Sequence, residues 1–132
     1  MVNNQKVRDV MMPNFTKVEG VLKISDALNT MRGKKINAIL VEPRDKNDVY
    51  GIMTLKDIAR KVIGQNRMLH ETHVYEIMSK PVIWVEPDMD IRYCARLFDN
   101  FGLAVAPVIE QGKILGIVSY HEIVLNGLVD LD

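Results

Sequence analysis

One cysteine, one tryptophan and no surplus of either charge stand out in this 132-residue sequence. Cys94 has no partner for an intrachain disulfide, so a cytoplasmic location is the default expectation. The 17 Lys and Arg are matched by 17 Asp and Glu. That balance argues against nucleic acid, whose binders carry a basic excess. No apolar run approaches the roughly 20 residues of a membrane span, and the N-terminal MVNNQKVRDVM does not read as a signal peptide. There is no Walker loop, no paired cysteine and no ordered Ser/His/Asp set. His70 and His73 lack a clear third ligand, so they read as solvated linker residues and no metal is expected. Nothing activates a nucleophile, and an enzyme is not expected.

What is present is a hydrophobic fraction of 48%, enough for a sizeable core in one domain or in two small halves that share one. The stretch GIMTLKDI at 51–58 returns as GIVSYHEI at 116–123. The echo extends in both directions. Val7, Met11, Ile24, Met31 and Ile36 fall on Val74, Met78, Ile91, Phe98 and Leu103 at a constant shift of 67, which becomes 65 after a longer loop at 42–50. Internal repeats of this kind determine the fold reading.

Each half reads in the same order. A short helical lead-in (7–11; 74–78) precedes a brief strand (16–19; 82–86). A helix follows, opened by Ser25-Asp26 or by Pro87-Asp88. Ile24, Ala27, Leu28 and Met31 form one apolar face, and Ile91, Ala95 and Phe98, with Cys94 alongside, form its image. Cys94 reads as a small packed residue. Two strands come next (37–42 with 49–53; 104–109 with 113–118), turning at Asn47-Asp48 and Gln111-Gly112. Closing helices at 55–63 and 120–128 end at Gly64 and Asn126-Gly127. A half of some 60 residues buries too little surface to be secure alone.

The chain resembles the tandem CBS-domain pair, or Bateman module. The resemblance rests on the doubled Val-x-x-x-Met lead-in, on PVIWVEPD at 81–88, on GLAVAPV at 102–108 and on the two closing motifs. It spans 6–129, with a first repeat at 6–64, a connector at 65–72 and a second repeat at 73–129, so no catalytic domain is expected. The fold it implies is α+β, with two pseudo-twofold-related βαββα repeats packed through their sheets. The sequence departs from the family pattern at Lys35 and Leu40, where glycine and proline are common, and at Glu122, where a nucleotide site usually has Asp.

Thr54-x-x-Asp57 and Ser119-x-x-Glu122 admit two readings. The first is a capping box, in which hydroxyl and acid satisfy a helix start, and Glu122 suits this better than Asp57. It leaves the glycine three residues before each hydroxyl unexplained, a residue that lets another group approach the backbone. The second is a ligand site, with phosphate at the helix start and a ribose diol on the carboxylate. The resemblance implies adenosine nucleotides in a cleft between the repeats. Its first pocket would use Thr54 and Asp57, with Val82, Ile83, Ala104 and Val105 about the base. The second, weaker pocket would use Ser119 and Glu122 with Phe15, Thr16, Asn37 and Ala38. His121 would face the phosphates of the first pocket and Lys56 those of the second; both also read as solvated helix-start side chains.

The functional expectation is a regulatory module that binds AMP, ADP or ATP, with NAD or S-adenosylmethionine as further candidates, and requires no cofactor. The rival expectation is a dimerisation module with empty pockets. Apolar residues such as Ile58, Val62, Ile123 and Val124 predict a symmetric homodimer.

Overall fold

The computed structural model describes residues 5–127, which form two compact units. One comprises residues 16–82, and the other comprises 5–15 with 83–127. Among the described residues the architecture is α+β: five α-helices, two short 3-10 turns and two small sheets. No described helix is long and apolar enough to cross a membrane.

In the unit of residues 16–82, β1 (Lys17–Val18) pairs parallel with β2 (Ala38–Val41), which pairs antiparallel with β3 (Gly51–Thr54). Helices α2 (Ile24–Lys34) and α3 (Leu55–Lys61) belong to the same unit. Its core joins Ile24, Ala27 and Met31 of α2 to Ile39, Val41, Met53, Ile58 and Val62, and is completed by Val74 and Ile77.

The other unit contains α1 (Val7–Val10), α4 (Ile91–Phe101), the antiparallel pair β4 (Val105–Glu110) and β5 (Lys113–Ser119), and α5 (Tyr120–Gly127). Its core is the repeat image of the first: Ile91, Cys94, Phe98, Ala106, Val108, Val118 and Ile123, with Val7 and Val10. The lead-ins are therefore crossed. The segment before the first repeat packs in the second repeat's core, and the segment before the second packs in the first's.

Several boundaries differ from the sequence reading for physical reasons. Residues 82–86 form no ladder, only an isolated bridge of Val85 with Val108. In the first repeat Leu40 donates its N–H to the Thr16 carbonyl at 2.9 Å; Pro107, the matching residue, has no N–H to give. Helix α2 starts at Ile24 with Lys23 at its N-cap, not at Ser25-Asp26, because the connector caps it: the N–H groups of Ile24 and Ser25 donate to the carbonyls of Thr72 and Leu69 at 2.8 and 3.0 Å. The Asp90 side chain, not Asp88, caps α4 by accepting from Arg92 N–H at 2.8 Å. On α4 the buried face is Ile91, Cys94 and Phe98, while Ala95 is exposed. Burial pushes the Cys94 thiol up to about 11, in keeping with an inert packed residue.

Helix α3 ends at Lys61 and tightens into a 3-10 turn, Ile63–Gln65, so the left-handed residue is Asn66 and not Gly64. Gly127 remains helical and buried, where a Cβ would lie 2.6 Å from Ile91 Cδ1. The expected end of this helix at residue 128 lies outside the described residues. Of the positions expected to leave apolar surface, Ile58, Val62 and Ile123 are buried in the cores, and Val124 is exposed.

Candidate functional site

At the β3–α3 junction the chain turns from strand to helix, with Thr54 at the cap in extended conformation. The Asp57 carboxylate folds back on it. Its Oδ2 accepts from Thr54 N–H at 2.9 Å and from Thr54 Oγ1–H at 3.0 Å, while Asp57 N–H donates to Thr54 Oγ1 at 3.2 Å. Asp57 is the only buried charged residue among those described. Its other oxygen, Oδ1, has the Lys61 ammonium 3.7 Å away.

The β5–α5 junction repeats the device with a difference. Glu122 Oε1 accepts from both Ser119 N–H and Ser119 Oγ–H at 2.8 Å, but Ser119 Oγ accepts from His121 N–H at 3.2 Å instead of from Glu122 N–H. The fully reciprocal box is thus the one with Asp, against the expectation from residue type. Both helices start directly after the hydroxyl residue; the longer Glu122 side chain still reaches the cap, while the Ser119 hydroxyl takes the second helical N–H instead of the third.

The glycine of each motif has a structural occupant. A Cβ on Gly51 would stand 2.9 Å from Met78 Sδ and 3.2 Å from the Ser79 carbonyl, and one on Gly116 would overlap the Met12 carbonyl. Each glycine admits the crossed lead-in of its own unit onto the strand, as the bridges of Ile52 with Ser79 and Met12 with Ile117 record. The sequence reading saw that something approaches this backbone. It did not identify the chain itself.

Of the first expected pocket, Thr54, Asp57 and Val82 belong to the unit of residues 16–82, while Ile83, Ala104, Val105 and His121 belong to the other. Of the second, Ser119, Glu122 and Phe15 lie in the latter unit, and Thr16, Asn37, Ala38 and Lys56 in the former. Within units the structure brings together different sets. Ala38 pairs with Thr54, and Leu55 N–H donates to the Asn37 carbonyl at 3.0 Å. Val105 pairs with Ser119, and Tyr120 N–H donates to the Ala104 carbonyl at 3.2 Å. Thr16 Oγ1 accepts from the Lys34 ammonium at 3.4 Å. Lys56 is exposed, and the His121 ring stacks on Tyr120 with centroids 4.4 Å apart.

Sequence reasoning missed two polar clusters. Asp48 accepts from the Lys80 ammonium at 2.6 Å and from Arg44 N–H at 2.8 Å, which ties the 42–50 loop to the lead-in and holds its carboxyl well below the usual range. Glu76 is bound by Arg67 and by His73, so His73 is paired and not a free linker side chain; His73 N–H, the largest cause, lowers the Glu76 carboxyl. The local halves, Arg44 with Asp48 and His73 with Glu76, stand at i,i+4 and i,i+3 spacing, but Lys80 and Arg67 join them from separate segments that no spacing signals. Two surface hollows of about 420 and 290 Å3 flank residues 19–21, and neither is lined by Thr54 or Asp57. Among the described residues no group of three or more His, Cys, Asp or Glu is placed to hold a metal.

The CBS-domain family model matches residues 7–64 and again 74–127. The chain belongs to the CBS-domain family. An uncharacterized protein of Methanopyrus kandleri is 33% identical over 119 residues, which cover 88% of this chain and 57% of that protein. The hexameric CBS-CP12 protein from bloom-forming cyanobacteria superposes with a TM-score of 0.90 at 36% identity, over 93% of this chain and 71% of that one. The CBS domain pair of protein MJ0100, solved with 5′-methylthioadenosine and S-adenosylmethionine, shares the fold at 24% identity and a TM-score of 0.77, over 90% of this chain and 96% of that one. CBS pairs are generally regulatory modules. The doubled box is thus the closing motif of each CBS repeat.

Proposed function

We propose that this CBS pair binds an adenosine-containing ligand and passes the signal on by shifting a conformational equilibrium, without catalysing a reaction. The observation that carries this reading is the state of Asp57. It is a buried carboxylate, and its capping box uses only Oδ2. Burying a charge costs free energy unless its bonding capacity is used; the box leaves Oδ1 with only the Lys61 ammonium at 3.7 Å, and a ribose diol could donate to it. The ligands of the MJ0100 pair, 5′-methylthioadenosine and S-adenosylmethionine, support the class. They share adenine and ribose with AMP, ADP, ATP and NAD.

Thr54 and Asp57, with Val82, Ile83, Ala104, Val105 and His121, form the preferred binding set. Ser119, Glu122 and their companions are the weaker one, since the extra methylene of Glu122 displaces the carboxylate. A ligand acts only through its differential affinity for two states. The protein works in the cytoplasm as a homodimer, with no cofactor, nucleic acid or membrane partner.

One observation favours the second reading, an interaction module with empty pockets: closed caps and crossed lead-ins already account for the glycine, the hydroxyl and the acid of both motifs. A thermal-shift screen with AMP, ADP, ATP, NAD and S-adenosylmethionine separates the two. A ligand at 100 times its Kd raises stability by about 2.7 kcal/mol. Silence from all five compounds rejects nucleotide binding in favour of the interaction module.

A further inference from the structure

The two boxes differ one turn into their helices. Four residues after Asp57 stands Lys61, and four residues after Glu122 stands Asn126. Lys61 Nζ donates to the Ile77 carbonyl at 3.0 Å and lies 3.7 Å from Asp57 Oδ1, the oxygen its box leaves free. The Asp57 side chain is shielded, at 12% exposure, and that of Lys61 is half-buried, at 35%. No other cation among the described residues comes within 4.0 Å of this carboxylate.

Ile77 is fully buried at the end of the Val74–Glu76 turn. From there the lead-in runs past Gly51, pairs Ser79 with Ile52, anchors Lys80 on Asp48 and continues into the second repeat. The same ammonium therefore hydrogen-bonds the chain that leads out of the first repeat and is ion-paired with the candidate ligand carboxylate. Among the described residues the second repeat has no counterpart to this link.

We propose that Lys61 is a positioning residue that ties the Asp57 carboxylate to the lead-in, so that a ligand on Asp57 Oδ1 is felt at Ile77. The regulatory half of this statement rests on the nucleotide reading above. Ribose hydroxyls and the ammonium compete for one oxygen. A hydroxyl that donates there weakens the hold of Lys61 on the turn, and by reciprocity the tie weakens ribose binding. The geometry makes this an inhibitory coupling: ligand loosens the lead-in, and loss of Lys61 strengthens the ribose contribution.

The test combines hydrogen exchange with calorimetry on the full chain. Without ligand, Lys61→Met should speed exchange of the Ile77 and Met78 amides several-fold, and Lys61→Arg should restore the wild-type rate. Asp57→Asn should speed the same amides, and the double variant should exchange no faster than Lys61→Met alone. With ligand, the affinity ratio of AMP to 2′,3′-dideoxy-AMP should rise about fivefold in Lys61→Met. Additive exchange effects overturn the tie, and an unchanged ratio overturns the competition. If wild type binds neither AMP nor S-adenosylmethionine, the nucleotide reading fails along with the competition, and the exchange cycle alone decides the tie.

Discussion

Gly116 lies so close to the main chain of Met12 that a Cβ there would overlap the Met12 carbonyl. The Met12 N–H and carbonyl are both bonded to Ile117, so the lead-in has no room to retreat. Gly116→Ala should cost about 1–3 kcal/mol, the usual range for overpacking. Gly51→Ala should cost less, because the nearest atom there is the end of a flexible Met78 side chain. Urea midpoints of the two variants check the order. Equal, negligible losses would mean that neither lead-in is seated on its strand.

Lys35 is a left-handed residue at the end of α2, with φ 55°, where Gly102 ends α4 with φ 63°. A Cβ in that conformation costs roughly 1–2 kcal/mol, partly offset by the entropy glycine loses on folding. Lys35→Gly should therefore stabilise the protein by about 0.5–1 kcal/mol, read as a higher urea midpoint. A lowered midpoint would show that the Lys35 side chain contributes more than its backbone strain costs.

Asp48 predicts an acid response. Arg44 N–H, Lys80 and Val49 N–H hold its carboxyl well below the usual range in the fold, so the ionised form is the stabilising one. That contribution is complete at neutral pH, above the unfolded carboxylate range, and is lost as pH falls through the depressed folded value. The melting temperature should fall below about pH 4, and the fall should be shallower in Asp48→Asn. Parallel pH profiles for the two proteins would remove Asp48 from the acid response.

Exposed apolar side chains bear on assembly. Helices α4 and α5 of one unit expose Tyr93, Phe101, Tyr120, Val124 and Leu125, the last at 72%. Surface of this kind marks association sites, and an isologous dimer would cover it. Light scattering should give twice the 15.0 kDa chain mass at tens of micromolar, and Leu125→Glu should shift it toward monomer. A wild-type monomer at that concentration defeats the dimer.

The repeat made most of the fold legible in the sequence. Apolar positions hold one register, and the cores pair them: Ile24 with Ile91, Ala27 with Cys94, Met31 with Phe98, Ile58 with Ile123. The crossing of the lead-ins was not legible, because Val7 and Val74 carry the same pattern and either core would accept either. The caps of α2 were misread for a related reason. Ser25-Asp26 is a local signal, but the connector carbonyls of Leu69 and Thr72 come from far along the chain. For the candidate site the sequence named the hydroxyl–acid pairs, and the structure shows them as closed caps. Lys61 was missed because its meaning depends on the Ile77 carbonyl, which no spacing reveals.

Asp57→Asn separates cap from ligand group at one residue. The amide oxygen still accepts from Thr54, so the box loses charge more than geometry, and stability should fall by about 0.5–1 kcal/mol. If Asp57 is only a cap, affinity for the best ligand of the screen is unchanged. If it holds ribose, two charge-assisted hydrogen bonds weaken, and affinity should drop by roughly 2–4 kcal/mol, about 30- to 1000-fold. Glu122→Gln is the internal control. It should lower the melting temperature comparably and change affinity far less, because its carboxylate belongs to the weaker set. Calorimetric affinities alongside melting temperatures for both variants give the answer. A lowered melting point with intact affinity in Asp57→Asn would make the capping box the whole role of that carboxylate.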